Sequence, residues 1–198
     1  MAIPITGPTE ITTPGYYSLE NDIVCPADDY SACINIRSNN VVLDGKGHTI
    51  YGIPGSGSDV HSNHGIRVGA SNIEIRNLTV QDFFGRDSRR GINLIERINN
   101  INIRDVNLSN NHIGYYDDRG IENVVLRDSV LNNNTYGIYS TQTAYYGYAK
   151  FYNNLIINNR MNGLLLVGAN NVSVHSNLFD NNTYAGLCLD GNTNNNKI

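Results

Sequence analysis

The chain has 198 residues, a net charge of −4 and a pI near 5.6. That length suffices for one domain with a real core, and the acidic balance leaves no basic footprint for nucleic acid. No apolar run is long enough to span a membrane as a helix, and the polar surface is drawn from Asn, Ser and Thr more than from charge.

The first segment, Met1-Ala2-Ile3-Pro4-Ile5, has neither a basic n-region nor an apolar h-region. No signal peptide is visible, which fits either a cytosolic protein or a mature domain behind a starter Met, and the second reading is preferred. Residues 1–40 are expected to form an N-terminal cap and a first coil. Within them Cys25 and Cys33 flank the polar loop Pro26 to Ala32 and are expected to close it as a disulfide. Such a short closure would pin the segment by about 2–3 kcal/mol. The alternative is a pair of buried thiols. Cys188 lies in an apolar alternation, Leu187 and Leu189, and reads as a small packed side chain. The spacing matches no zinc pattern.

From residue 41 to 198 the chain repeats. Gly91, Gly114, Gly137, Gly163 and Gly186 are spaced 23 (114−91), 23 (137−114), 26 (163−137) and 23 (186−163), and Gly65 stands 26 before Gly91. A fixed period of this size means stacked units, each too small to bury its own apolar face. Within the units short pieces alternate with period two: Ile73-Glu-Ile75, Ile101-Asn-Ile103, Val124-Val-Leu126 and Val172-Ser-Val174. Bounded by Asn and Gly, these predict short strands and tight turns, and no segment carries a helical period with caps. Glycine is expected where the chain turns sharply with φ > 0. The 26-residue intervals predict outward loops near Phe83 to Arg90 and near Gln142 to Tyr148.

Aligned on the glycines, two polar columns emerge. One holds Asp87, Asn110, Asn133, Asn159 and Asn182; the other holds Asp82, Asp105, Asp128, Asn154 and Asn177. Parallel stacking of identical positions about 4.8 Å apart explains them, with side-chain amides hydrogen-bonding along a ladder. The Asp column has three ways to relieve its repulsion: an Asx-type turn, pairing with Arg104 and Arg127, or a bound Ca²⁺. The Asn that continue the column favour the turn. After Gly191 the chain runs Asn-Thr-Asn-Asn-Asn-Lys-Ile198, partway into a further coil. The sequence is a piece of a longer protein, or this end meets another subunit and stacks end to end, or the end is frayed and tolerated.

A leucine-rich repeat has a comparable period, but its Leu-x-x-Leu-x-Leu-x-x-Asn frame does not recur here. Gly-Ile-x-Leu, then Asn-Asn-Ile-x-Ile, then Leu-x-Asn-Asn resembles the right-handed parallel β-helix repeat of the pectin-lyase-like superfamily. The opening stretches, Ile11 to Ile23 and Asn40 to Ile50, are similar to the first coils of β-helix repeat proteins of archaeal surfaces and of related periplasmic proteins. The resemblance implies an all-β, single-stranded, right-handed solenoid over 1–198. It implies little about activity, because one such scaffold hosts lyases, hydrolases, epimerases, carbohydrate binders and inert surface proteins. The residue sets of pectate lyases, galacturonases and alginate epimerases are not evident as motifs. A link to the periplasmic relatives of copper-enzyme maturation finds little support in so few Met, Cys and His.

The cluster Tyr115-Tyr116-Asp117-Asp118-Arg119 breaks the repeat. Three residues after the glycine other coils carry Val68, Leu94, Leu166 or Leu189, and this coil carries Asp117. Asn93 and Tyr139 should stand level with Tyr116, one coil away on either side. Arg90 and His112 lie in the turns just before their glycines. Carboxylates, a cation and flat Tyr faces suit a sugar groove, and a cation beside a base also suits uronate chemistry. The candidate catalytic set is Asp117, Asp118, Arg119 and His112. Binding is assigned to Arg90, Tyr115, Tyr116 and Tyr139, and to Tyr145, Tyr146 and Tyr148 in the second loop, as amphipathic contact residues. Asn110, Asn133, Asn159, Asn182, Asp105 and Asp128 are assigned to structural ladders. His48 and His64 are read as structural turn residues; His61 and His64 could share a metal, but no third ligand accompanies them.

The composite expectation is a non-catalytic extracellular or cell-surface module that binds glycans or assembles with copies of itself. No cofactor is expected beyond an optional Ca²⁺. The competing reading is a lyase or epimerase acting on uronate glycans. Asn-x-Ser/Thr occurs at Asn77, Asn107, Asn133, Asn171 and Asn181, weak support for export in a chain this rich in Asn.

Overall fold

Short period-two segments flanked by Asn become strands, and every strand pair is parallel. The computed structural model describes residues 1–26, 32–53, 64–84, 89–95, 97–118, 121–141 and 148–198. Among them the elements are all β and no helix occurs, so none is long and apolar enough to cross a membrane. The chain winds right-handed through about six turns. Three faces run the length of the stack. The first face contains, among others, Val41–Asp44, Glu122–Arg127, Ala149–Tyr152 and Val172–His175. The second contains Thr49–Tyr51, Val130–Asn132, Leu155–Ile157 and Leu178–Asp180. Ile73–Gln81 and Asn99–Ser109 pass through both and turn the corner at Asn77 and Asp105, each at φ 53°. The third face is an eight-stranded sheet that includes Ala32–Ile36, His64–Val68, Arg90–Leu94, Ile113–Asp117, Tyr136–Ser140, Asn162–Val167 and Ala185–Asp190.

Register places like on like. Ile73, Ile101, Val124, Ala149 and Val172 form one buried row on the first face, and Ile34, Ile66, Ile92, Tyr115, Ile138 and Leu164 one on the third. One continuous apolar core extends from Ile5 to Val174. Burial of these rows is the main stabilising term, at roughly 25 cal/mol per Å² removed from water.

The polar columns resolve differently from the expectation. Two corners each hold a two-residue device. The first residue adopts a left-handed conformation and the second points inward. At one corner Asp82, Asn110, Asn133, Asn158 and Asn181 are left-handed, φ 49–66°. The residues after them, Asn111, Asn134, Asn159 and Asn182, form the ladder. Each Oδ1 accepts the backbone N–H of the preceding coil, from Phe83 to Asn111 and onward to Asn182, at 2.9–3.1 Å. Each Nδ2 donates to a core carbonyl: Val80, Leu108, Leu131 or Ile156. At the other corner Asn77, Asp105, Asp128, Asn153 and Ser176 are left-handed, and Ser129, Asn154 and Asn177 form the ladder. Asn110 and Asn133 therefore do not belong with Asn159 and Asn182. Asp82 likewise leaves the column of Asp105 and Asp128, and those two are corner residues rather than ladder members, so Asn154 and Asn177 do not continue their column. The glycine alignment slipped because Gly114 stands three positions after Asn111, whereas Gly163 stands four after Asn159.

The period glycines have no positive φ; among the described residues that conformation falls to Gly47, Gly168 and Gly191. They are required for close approach instead. A Cβ on Gly114 would meet the Gly137 carbonyl oxygen at 2.7 Å and the Asn134 amide nitrogen at 3.1 Å.

Cys25 and Cys33 are buried free thiols, which corrects the expected disulfide. The hydrogen bond with Cys25, and burial after it, push the Cys33 thiol well above its ordinary range. Closing the loop is not needed to hold this coil, because both side chains lie in the apolar core.

Candidate functional site

On the third face the residue after each buried aliphatic points outward. Register aligns Asn35, Arg67, Asn93, Tyr116, Tyr139 and Leu165 in one such row, each a coil from the next. The expected level placement of Asn93, Tyr116 and Tyr139 is thus observed. The residue immediately before each period glycine supplies a second row. Arg90 aligns with Ile113, Ile113 with Tyr136, and Ala32 with His64. The pairings Ile66 with Ile92 and Ile138 with Leu164 bring His64 level with Arg90 and Tyr136 level with Asn162.

These two rows make an aromatic and cationic strip. The Arg90 guanidinium carbon lies 3.6 Å from the centroid of the Tyr116 ring, and its Nη1 donates to Asn93 Oδ1 at 2.9 Å. Tyr116 packs edge-on against Tyr139 at 5.6 Å, and Tyr139 lies 5.4 Å from Tyr136. His112 meets the Tyr136 ring edge-on at 6.4 Å. Burial pushes the Arg90 guanidinium down from its ordinary value, while Tyr116, Asp118 and Tyr139 act the other way. Burial, and then the positive charges of Arg90 and Arg67, push the His64 imidazole down to about 3, so it is neutral at physiological pH.

Asp117 is not part of this surface. It falls in an inward row with Leu94 above and Ser140 below, wholly buried. Its Oδ2 accepts the Tyr115 hydroxyl at 3.0 Å, and its Oδ1 accepts Ser140 Oγ at 2.7 Å and Thr141 N–H at 3.2 Å. Tyr115 is interior too, edge-on to Phe151 at 6.0 Å. Both are therefore corrected from site residues to core residues. A polar interior was selected at this coil, and the phenol and hydroxyl that satisfy the carboxylate come with it. Burial, followed by the charge and hydrogen bond of Asp117, raises the Tyr115 hydroxyl far above its ordinary pKa.

Asp118 is exposed, within electrostatic reach of Arg90. Tyr148 is exposed at the entry to a first-face strand, where its carbonyl accepts the Val124 N–H. Arg119, Tyr145 and Tyr146 lie outside the described residues, as do parts of both expected loops. Asp105 and Asp128 pair with Arg104 and Arg127 at their left-handed corners, which is the second of the three reliefs expected for that column. Among the described residues no three His, Cys, Asp or Glu side chains are placed to share a metal ion.

The structure adds Arg67, Tyr136 and Asn162, which the sequence reading left out, and His64, which it read as a structural turn residue. Their signal was present, since three of them immediately precede a period glycine and Arg67 stands two after one.

A family model described as a right handed beta helix region matches residues 32–198. Among solved structures, the A-module of mannuronan C-5 epimerase AlgE6 from Azotobacter vinelandii superposes with a TM-score of 0.53 at 19% identity, covering 92% of this chain and 67% of that one. That likeness is one of fold. The A-module of AlgE4 from the same organism gives a TM-score of 0.17 at 11% identity over 100% of this chain and 86% of that one, too low to carry an argument. No curated protein matches the chain in sequence.

Proposed function

The chain belongs to the right-handed beta helix family, and we propose that it is a non-catalytic glycan-binding module, working outside the cell or at its surface, that takes a polysaccharide along the third face. The observation that supports this most is the pair Tyr116 and Tyr139. They face outward in adjacent coils, flanked by Tyr136, with Arg90 laid over the first ring. Aromatic faces stack on the apolar faces of sugar rings, and hydroxyl and amide groups beside them take the sugar hydroxyls. A strip with a constant step of about 4.8 Å suits an extended repeating polymer.

Affinity electrophoresis and calorimetry against alginate, polygalacturonate and a neutral glucan test the reading. Tyr116→Ala and Tyr139→Ala are each expected to weaken binding about tenfold, the equivalent of about 1.4 kcal/mol. If no polysaccharide is retained, or if both variants bind as the parent does, the reading fails.

An enzymatic alternative, a lyase or epimerase on uronate glycans, draws on the fold shared with the epimerase A-module and on the grouping of Arg90, Asp118 and His112 about one strip. Asp117 takes no part, because its carboxylate is committed to the interior. Absorbance from unsaturated products and proton exchange at C-5 of the uronate, with polymannuronate and polygalacturonate as substrates, separate the two readings. Turnover would replace the binding reading with the enzymatic one.

A second copy of the chain, stacked end to end, is the other partner proposed. Light scattering across protein concentration tests it: a constant monomer mass removes the proposal.

A further inference from the structure

We infer that one end of the third-face strip, at His64, Arg67 and Arg90, is a subsite for the carboxylate of an acidic sugar. This rests on the glycan-binding reading and adds a polarity to it.

Four buried side-chain polar atoms have no hydrogen-bond partner among the described residues: His64 Nδ1, Arg90 Nε, Asn107 Oδ1 and Asn162 Oδ1. Leaving such an atom unpaired is costly. By contrast, the ladder amides of Asn111, Asn134, Asn159 and Asn182 each both accept and donate. Three of the four exceptions nevertheless fall in a single row of a single face, the row of His64, Arg90, Ile113, Tyr136 and Asn162. His64 and Asn162 are 6% and 5% exposed, so solvent does not take the place of a partner. Unfilled hydrogen-bonding capacity concentrated on the face that carries the aromatic strip points to a ligand.

The chemistry of the row is graded. At the His64 end the unpaired atoms belong to an imidazole and a guanidinium one coil apart, with Arg67 in the adjacent row. At the other end the unpaired atom is an amide oxygen, suited to a hydroxyl. Charge accounting agrees. On the first face Arg76, Arg104 and Arg127 each sit on a carboxylate, from Asp44, Glu74 or Asp128. Among the described residues Arg67 and Arg90 form no ion pair, although the chain as a whole is acidic. Arg90 has one edge of its guanidinium engaged by Asn93 and its Nε free. A carboxylate is planar, with two acceptor oxygens, and can take Arg90 Nε–H on one and a neutral His64 N–H on the other. Binding there would leave the next sugar over Tyr116.

The test uses oligogalacturonate and the same oligomer with its carboxyl groups reduced to alcohols. The parent protein is expected to favour the acidic oligomer about ten- to a hundredfold, the effect of one or two charge-assisted hydrogen bonds. In Arg90→Gln and in Arg67→Gln the ratio of the two affinities is expected to fall toward one. Arg67 is on the open strip, so its replacement reports even if the Arg90 variant folds poorly. The His64 imidazole NMR signals should shift with the acidic oligomer and stay in place with the reduced one. Equal affinity of the parent for both oligomers overturns the subsite and leaves the groove standing. A preference that survives in both variants overturns it too, since the carboxylate then binds elsewhere. If neither oligomer binds, the groove falls and the subsite with it.

Discussion

In the pair Asn133-Asn134 the first residue sits at φ 58° on the surface and the second is wholly buried. Asparagine is suited to both tasks: it tolerates the left-handed conformation better than other non-glycine residues, and its amide both donates and accepts. The tasks predict opposite mutational outcomes. Asn134→Ala orphans the Asn111 N–H and the Leu108 carbonyl and is expected to cost about 2–3 kcal/mol. Asn133→Gly keeps an allowed backbone and is expected to change stability by less than about 1 kcal/mol. Urea midpoints of the two variants measure the contrast. Asp44 supplies a pH test. Burial alone would raise its carboxyl, but hydrogen bonds from Lys46 N, Tyr16, Asn77 and Arg76 outweigh that and hold it down to about 2. Its stabilising contribution is therefore complete above about pH 4 and is lost as pH falls toward 2. The thermal midpoints of the parent and Asp44→Asn should converge over that window; a gap of constant width would contradict the assignment.

At the level of the strand, the third face shows how far a sequence can be read. The expectation that Asn93, Tyr116 and Tyr139 stand level needed only the glycine spacing, which is preserved across those three coils. Asp117 was also singled out correctly as a carboxylate in an aliphatic row, but the side it faces depends on what fills the space behind it. Tyr115 places its hydroxyl inside, and Ser140 follows in the next coil, so an inward Asp117 finds three donors. No spacing rule reports such cooperation between residues of two adjacent coils. The glycines were legible as a period and not as a mechanism. Their role follows from the distance between successive coils, so Gly114→Ala is expected to destabilise by about 1–3 kcal/mol through overpacking despite its ordinary φ. A chemical denaturation curve shifted by much less would mean that the coils can separate locally.

For the whole molecule, each coil contacts only its neighbours, and stability is close to a sum of coil and interface contributions. The overall winding was legible because repetition supplies several independent readings of one local pattern. The boundaries of columns were less so, since doubled asparagines allow a slip of one residue whenever a turn changes length. Apart from Asp117 and its donors, the interior of this stack is held by neutral amides and aliphatics, while ion pairs such as Arg104 with Asp105 lie near solvent. Added salt should therefore leave the unfolding midpoint nearly unchanged, because exposed pairs are individually weak.

A scaffold with one invariant step also behaves as a ruler. Duplicating residues 114–136 in tandem would add one rung without asking any existing contact to change, and the row would gain another Tyr116. On the proposed glycan-binding reading, the shortest oligosaccharide held at full affinity should lengthen accordingly, by one step of the stack for each turn added.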